Sequence, residues 1–279
     1  MQTYLWNQLA EAGLREDIGH GDITTELTIP RNLYGRMVLR ARQNIAVSGL
    51  PIIIAVYSIL SPLVKVELFK DEGQHSGVSE SLAAVEGPVD ALLTGERVVL
   101  NVLSWLSGIA TITRESVDLV SDLGVKILDT RKTRPGQRVY EKYAVRTGGG
   151  YNHRFGLFDA VLIKDNHIAA RGGMKSVLKN VRQNAPFGTF IEVEVDGFEQ
   201  INEALQEGVD GILLDNMSLH EVGRAVAYIN HRVVVEASGG ITPLNLREMA
   251  ETGVDGISLG YLTHSAPHVD IGADWESEW

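Results

Sequence analysis

Six short β-branched runs, each ending in polar residues and most of them followed by an amphipathic segment, repeat through the second half of the chain. They are VKILDT (125–130), DAVLIKD (159–165), FIEVEVD (190–196), DGILLDN (210–216), RVVVEASGG (232–240) and DGISLG (255–260). Apolar runs this short predict parallel strands buried on both faces. The gaps supply covering helices: GFEQINEALQEG puts Phe198, Ile201 and Leu205 on one helical face, and SLHEVGRAVAYIN does the same with Leu219, Val222, Val226 and Ile229. Ser218 with Glu221 three residues on matches a capping box, and Thr242 before Pro243 matches an N-cap followed by proline at the first helical position.

Strands alternating with helices predict an α/β fold, specifically an incomplete α/β barrel of six to seven strands. An open doubly wound sheet is the competitor. The barrel is favoured because nearly every strand ends in polar residues: Thr130, Arg131 and Lys132; Lys164 and Asp165; Glu194 and Asp196; Asp215 and Asn216; Glu236 and Ser238. A barrel collects such ends on one face, whereas an open sheet gathers only those near its crossover point. Residues 1–110 read differently, as an N-terminal α+β domain: a helical start (LWNQLAEAGLRED), antiparallel strand candidates (GRMVLRARQNIAVSG, VKVELFK) and a long helix, GERVVLNVLSWLSGIATITRESVDLV, either continuous or two helices joined at Ser107-Gly108. The expected barrel domain is 111–264, with a tail, 265–279, packing back on the first domain.

The formal net charge is -11, which repels nucleic acid and anionic membrane at a distance, so any anion site must be local. The basic residues are indeed concentrated. Arg131, Lys132, Arg134, Arg138, Lys142, Arg146, His153, Arg154, Lys164, His167 and Arg171 fall in one stretch of 41 residues. There is no cysteine, so disulfides and thiolate metal sites are excluded and a reducing compartment is the natural reading. The charged N-terminus lacks a signal-peptide core, so a cytoplasmic location is expected. Residues 43–64 carry no charge, but Gly49, Pro51 and Pro62 interrupt them. A buried helix is therefore expected there, not a membrane span.

The run TRKTRPGQRVYEKYAVRTGGGYNHRFGLFDAVLIKDNHIAA resembles the quinolinate phosphoribosyltransferases. The likeness continues, in order, through EDIGHGDITT, VEGPVDALLTGERVVLNVLSWLSGIAT, IEVEVD, LLDN, ASGGI and GVDGISLGYLTHSAPHVDIG. The resemblance implies condensation of quinolinate with phosphoribosyl pyrophosphate, giving nicotinate mononucleotide, pyrophosphate and CO2 for de novo NAD biosynthesis. It implies that Arg131, Arg154 and Lys164 line a dicarboxylate pocket, with His153 beside them, Thr130 adding a hydroxyl and Arg97 reaching in. Guanidinium forks match carboxylates in a bidentate way that lysine cannot. It further places Lys132 between the two substrates, Glu194 and Asp215 on Mg²⁺ and the ribose, directly or through water, and Ser238, Gly239, Gly240, Gly260 and His264 around phosphate. Glu192 and Asp196 are less specific, and Arg134 and Arg138 read as surface cations. A homodimer with shared active sites is implied, Arg97 entering the partner's site, with further assembly left open.

Three rivals differ in chemistry. A relative on the same scaffold could use nicotinate or another acceptor, although two arginines with a lysine suit two carboxylates better than one. Lys164 could instead form a Schiff base in an aldolase of another barrel class. A non-catalytic phosphate-binding protein would release no pyrophosphate.

Overall fold

A computed structural model of the protein describes residues 1–30 and 32–276. It divides into two compact units. The first comprises Met1–Arg114, Val139–Gly149 and the chain from Ala266 onward; the second comprises Glu115–Arg138 and Gly150–Ser265.

The first unit is α+β. Helix α1 (Thr3–Ile18) buries Trp6, Ala10 and Leu14, spaced four apart on one face. Trp6 meets Tyr143 edge-on, ring centroids 5.4 Å apart. Helix α2 (Ile23–Thr28) starts at Asp22, whose carboxylate accepts from the Thr25 N–H at 3.0 Å, so part of EDIGHGDITT is a helix cap. Strands β1 (Tyr34–Ala41), β3 (Lys65–Leu68) and β5 (Ser81–Pro88) form an antiparallel sheet, and β2 (Ile45–Ala46) pairs with β4 (His75–Ser76). The charge-free segment supplies α3 (Pro51–Leu60), which buries Ile52, Ile53, Ala55, Val56 and Tyr57. No helix among the described residues is long and apolar enough to cross a membrane.

Helix α4 (Val89–Asp118) runs unbroken through Ser107-Gly108. Gly108 is a packing position: a Cβ there would lie 2.0 Å from the Pro267 carbonyl oxygen. The last strand, β12 (Ile271–Trp275), pairs with β1 and forms the edge of the first unit's sheet. Residues 277–279 of the expected tail lie outside the described residues.

The second unit carries six parallel strands: β6 (Lys126–Leu128), β7 (Val161–Ile163), β8 (Ile191–Val195), β9 (Gly211–Asp215), β10 (Val234–Ser238) and β11 (Gly256–Ser258). All six runs read as strands are strands. Their order is β6-β11-β10-β9-β8-β7. Consecutive strands neighbour one another and the last pairs with the first, which is the cyclic order of a barrel with one link missing, between β6 and β7. A doubly wound sheet would reverse direction about a central strand. At the missing link Tyr151 bridges to Leu128, donating to the Ile127 carbonyl at 2.7 Å and accepting from the Asp129 N–H at 3.0 Å. The segment between β6 and β7 also contains α5 (Arg138–Thr147), most of which belongs to the first unit.

Helices α6 (Asp165–Arg171), α7 (Met174–Asn184), α8 (Phe198–Glu207), α9 (Leu219–Ile229), α10 (Leu246–Glu251) and α11 (Tyr261–His264) complete the second unit. Helix α9 has the expected Ser218–Glu221 capping box. Its buried face is Val222, Ala225 and Ile229, while α8 buries Ile201 and Ala204. One helix start differs from expectation. Helix α10 begins after Asn245, not at Pro243, because the Asn245 side-chain oxygen accepts from the Thr242 N–H at 2.7 Å and closes a turn across the proline.

Candidate active site

Strand register decides which side chains meet. Glu194 lies opposite Leu213, Leu213 opposite Glu236, and Asp215 opposite Ser238. Residues two apart on a strand share a face, so Glu192, Glu194, Leu213, Asp215, Glu236 and Ser238 point to one side of the sheet. The alternate residues Val193, Val195, Ile212, Leu214, Val235 and Ala237 are buried and apolar. The polar side opens into a cavity of about 550 Å³ whose walls include Leu162, Leu213 and Ser258.

That cavity unites most of the expected residues. Thr130, Arg131, Lys132, His153, Arg154, Lys164, Glu194, Asp215, Ser238, Gly239 and Gly240 all line it. Gly260 and His264 are not among its lining residues, yet Lys132 Cδ and His264 Nε2 would lie 3.1 and 3.0 Å from a Cβ at Gly260. Thr263 also donates to the Lys132 carbonyl at 2.7 Å, joining α11 to the Lys132 loop. Arg97 belongs to α4 in the first unit and does not line the cavity.

The cations are placed by short local links. Thr130 Oγ1 accepts from the Lys132 N–H at 3.0 Å and tightens the turn after β6. Arg138 is more than a surface charge: it is half-buried, and its guanidinium donates to Thr133 Oγ1 at 2.9 Å and the Phe155 carbonyl at 3.0 Å, tying together two loops that carry cavity residues. The buried Asp129 carboxylate accepts from the His153 N–H at 2.9 Å. The basic stretch also splits. Lys142 and Arg146 lie on α5 within the first unit, Lys142 being buried, and His167 Nδ1 accepts from the Lys164 N–H to cap α6.

Electrostatically the cavity is poised for an anion. Burial, followed by the neighbouring Arg131 charge, holds the Arg154 guanidinium below its ordinary pKa. Arg131 Nε is buried without a hydrogen-bond partner among the described residues. Lys164 forms an ion pair with Glu194, whose side chain is only 15 % exposed. Asp215 accepts from Asn216 Nδ2 at 2.8 Å. Glu194 and Asp215 therefore offer hard oxygen donors on adjacent strands, a set suited to Mg²⁺ that keeps water and phosphate oxygens as its other ligands.

Deeper in the barrel, His153 Nε2 stands 3.2 Å from Glu192 and 3.4 Å from Glu236. Both glutamates are 4 % exposed. Burial, then the Glu192 charge, raises the Glu236 carboxyl to about 7. Glu236 was legible as a polar strand end, but its pairing with His153 and Glu192 was not. A larger depression of about 920 Å³ in the first unit carries Asp22, Glu26 and Asp90 and no cation among its described lining, so it does not suit an anionic substrate.

Comparison with known proteins fits this geometry. Residues 22–107 match the N-terminal domain and residues 109–274 the C-terminal domain of quinolinate phosphoribosyl transferase. The chain belongs to the quinolinate phosphoribosyltransferase family. Among relatives of this family, a probable nicotinate-nucleotide pyrophosphorylase (carboxylating) from Bacillus subtilis is 46% identical over 93% of this chain and 89% of its own. The nicotinate-nucleotide pyrophosphorylase structure from Francisella tularensis superposes with a TM-score of 0.94 at 34% identity, covering 99% of this chain and 98% of that one. The Ehrlichia chaffeensis structure gives 0.92 at 42% identity, covering 96% and 98%. The family's two domains thus account for nearly all of this chain.

Proposed function

We propose that this chain condenses quinolinate with phosphoribosyl pyrophosphate to give nicotinate mononucleotide, pyrophosphate and CO2, a step of de novo NAD biosynthesis. The observation that carries the reading is the pair Arg131 and Arg154, two partly desolvated guanidiniums on one cavity wall, one with a buried donor lacking a partner. Like charges held together this way favour a ligand with two adjacent carboxylates. Nicotinate has one carboxylate, which leaves a cation uncompensated. An assay for nicotinate mononucleotide with quinolinate, phosphoribosyl pyrophosphate and Mg²⁺ tests the proposal; faster turnover with nicotinate would reverse the choice of acceptor.

In this reading Arg131, Arg154 and Lys164 hold the dicarboxylate, while Lys132 at the mouth neutralises charge on the departing pyrophosphate. Glu194 and Asp215 hold Mg²⁺ and the ribose hydroxyls, and the metal supplies charge neutralisation for pyrophosphate. The Ser238-Gly239-Gly240 loop offers backbone N–H groups to the 5′-phosphate. The pyridine nitrogen captures a ribose carbon of oxocarbenium character, so no side-chain nucleophile is required and positioning supplies most of the rate. Asp215→Asn is expected to leave the fold intact, lower turnover and raise the Mg²⁺ concentration needed for half-maximal rate. Metal titration of the activity checks this, and an unchanged requirement removes Asp215 from the metal site.

The assembly proposed is a homodimer acting in the cytoplasm, with Arg97 serving the partner's site. A closed two-fold pair is the commonest symmetric assembly. Arg97→Ala and Lys132→Ala protomers, each inactive alone, are expected to recover about a quarter of wild-type activity after random exchange, because half the dimers then carry one intact site. Exchange verified by mass spectrometry without recovered activity contradicts shared sites.

A further inference from the structure

The half-buried His153 and the buried Glu192 and Glu236 form one titratable group beside the residues assigned to the anion. Two carboxylates with one imidazole could hold either a cation or a proton. Their donor atoms lie within 4.8 Å of one another, close enough for a metal. The histidine decides between the two. His153 Nδ1 accepts from the Arg154 N–H at 2.7 Å, so in the neutral ring the proton sits on Nε2 and points between the two glutamates. A metal on Nε2 would require that proton on Nδ1, where it would meet the Arg154 N–H head-on.

Glu236 and His153 both line the cavity, whereas Glu192 does not. One carboxyl oxygen of Glu236, Oε1, is buried without a hydrogen-bond partner among the described residues. The groups facing Glu236 are largely acidic or neutral. Glu192 approaches from β8, Asp129 from the end of β6, His153 from the loop before β7 and the Ser258 hydroxyl from β11, while β9 presents Leu213 at its level. Among the charged groups lining the same cavity, Glu194 and Asp215 are on the strand ends, and Arg131, Lys132, Arg154 and Lys164 are the cations.

We propose that Glu236 is the acid that protonates C2 of the pyridine ring when CO2 leaves, an assignment that rests on the reading of the site as a quinolinate phosphoribosyltransferase. In this step the bond from C2 to its carboxylate breaks, CO2 departs, and the electron pair stays on C2 beside the cationic ring nitrogen. The proton of the Glu236 carboxyl moves to C2, leaving a carboxylate that solvent reprotonates after the product leaves. The surroundings favour this division of labour. The apolar and acidic walls about Glu236 favour its neutral, proton-donating form, while the cations of the same cavity hold the dicarboxylate. Raising of the Glu236 pKa by burial and by Glu192 keeps the acid protonated near neutral pH. His153, with both ring nitrogens engaged, fixes the acid's position and is a positioning residue.

Quenched single-turnover measurements that follow pyrophosphate and CO2 separately test this. In wild type the CO2 step is expected to slow as pH rises past the point where Glu236 ionises, while pyrophosphate release does not follow that limb. In Glu236→Gln, pyrophosphate is expected to appear in the first turnover while CO2 release lags by about a hundredfold, with the dicarboxylate nucleotide accumulating and the alkaline limb gone. Glu236→Asp keeps the limb with a slower step. The inference is overturned if Glu236→Gln releases both products together, whether at the wild-type rate or equally slowed. Should that variant not fold, a wild-type CO2 step without an alkaline limb overturns it alone. Absence of pyrophosphate from wild type would be a different result, against the proposed function itself.

Discussion

Lys164→Ala and Arg131→Ala are expected to weaken quinolinate binding at least thirtyfold while changing phosphoribosyl pyrophosphate binding far less. The estimate corresponds to about 2 kcal/mol, the lower end for removing one member of a hydrogen-bonded charge pair. The lower end applies to Lys164 because its side chain is 45 % exposed and solvent screens part of its charge. Losing Lys164 also leaves Glu194 without its ion-pair partner, so a modest change in metal affinity accompanies the main effect. Calorimetry with each ligand separates the two contributions. Equal losses for both ligands would place these cations between the substrates instead of on the dicarboxylate.

The second large effect is expected at Gly239. Its φ of +86° is one that residues with a Cβ rarely adopt. A Cβ there would stand 2.2 Å from Asn216 Oδ1 and 2.9 Å from the Asn216 backbone nitrogen. The backbone nitrogen cannot swing aside as a flexible side chain could, and Asn216 also donates to Asp215. Gly239→Ala therefore carries both backbone strain and a clash, together about 3 kcal/mol, and it displaces Asp215 along with the loop. Expected results are a clear fall in thermal midpoint and at least a hundredfold loss of phosphoribosyl pyrophosphate affinity. Gly240→Ala is the control. Its φ is +62°, but nothing lies within 4 Å of the added methyl, so about 1 kcal/mol of strain is expected. Equal effects at both positions would mean that the clash with Asn216 is relieved.

The chemistry of the mouth was readable from strand ends. A β-branched run followed by Lys164 or by Asp215 states both a buried strand and a polar group at its end, and a barrel carries such ends to one rim. Depth was not readable. Glu192 and Glu194 share a strand face, and only the register with neighbouring strands puts one at the rim and the other beside His153. Charge density along the chain misled in one respect, since Lys142 sits between mouth cations in sequence while α5 carries it into the first unit. Arg138 read as a surface cation because its acceptors, the Thr133 hydroxyl and the Phe155 carbonyl, reach it only after the loops fold. The start of α10 was misplaced because Thr242-Pro243 and Asn245 are both good caps, and the asparagine turn won.

The pairing of β1 with β12 has a consequence for synthesis. Strand β1 leaves the ribosome well before its edge partner Ile271–Trp275, and Val139–Gly149 joins the same unit from between them in sequence. The first unit's sheet is completed only after every strand of the second unit has been made. Until then β1 presents an open hydrogen-bonding edge, the kind of surface that recruits foreign strands. A nascent chain of this protein thus depends on synthesis of β12 for protection of the β1 edge, and a premature stop ahead of Ile271 would leave that edge exposed to aggregation.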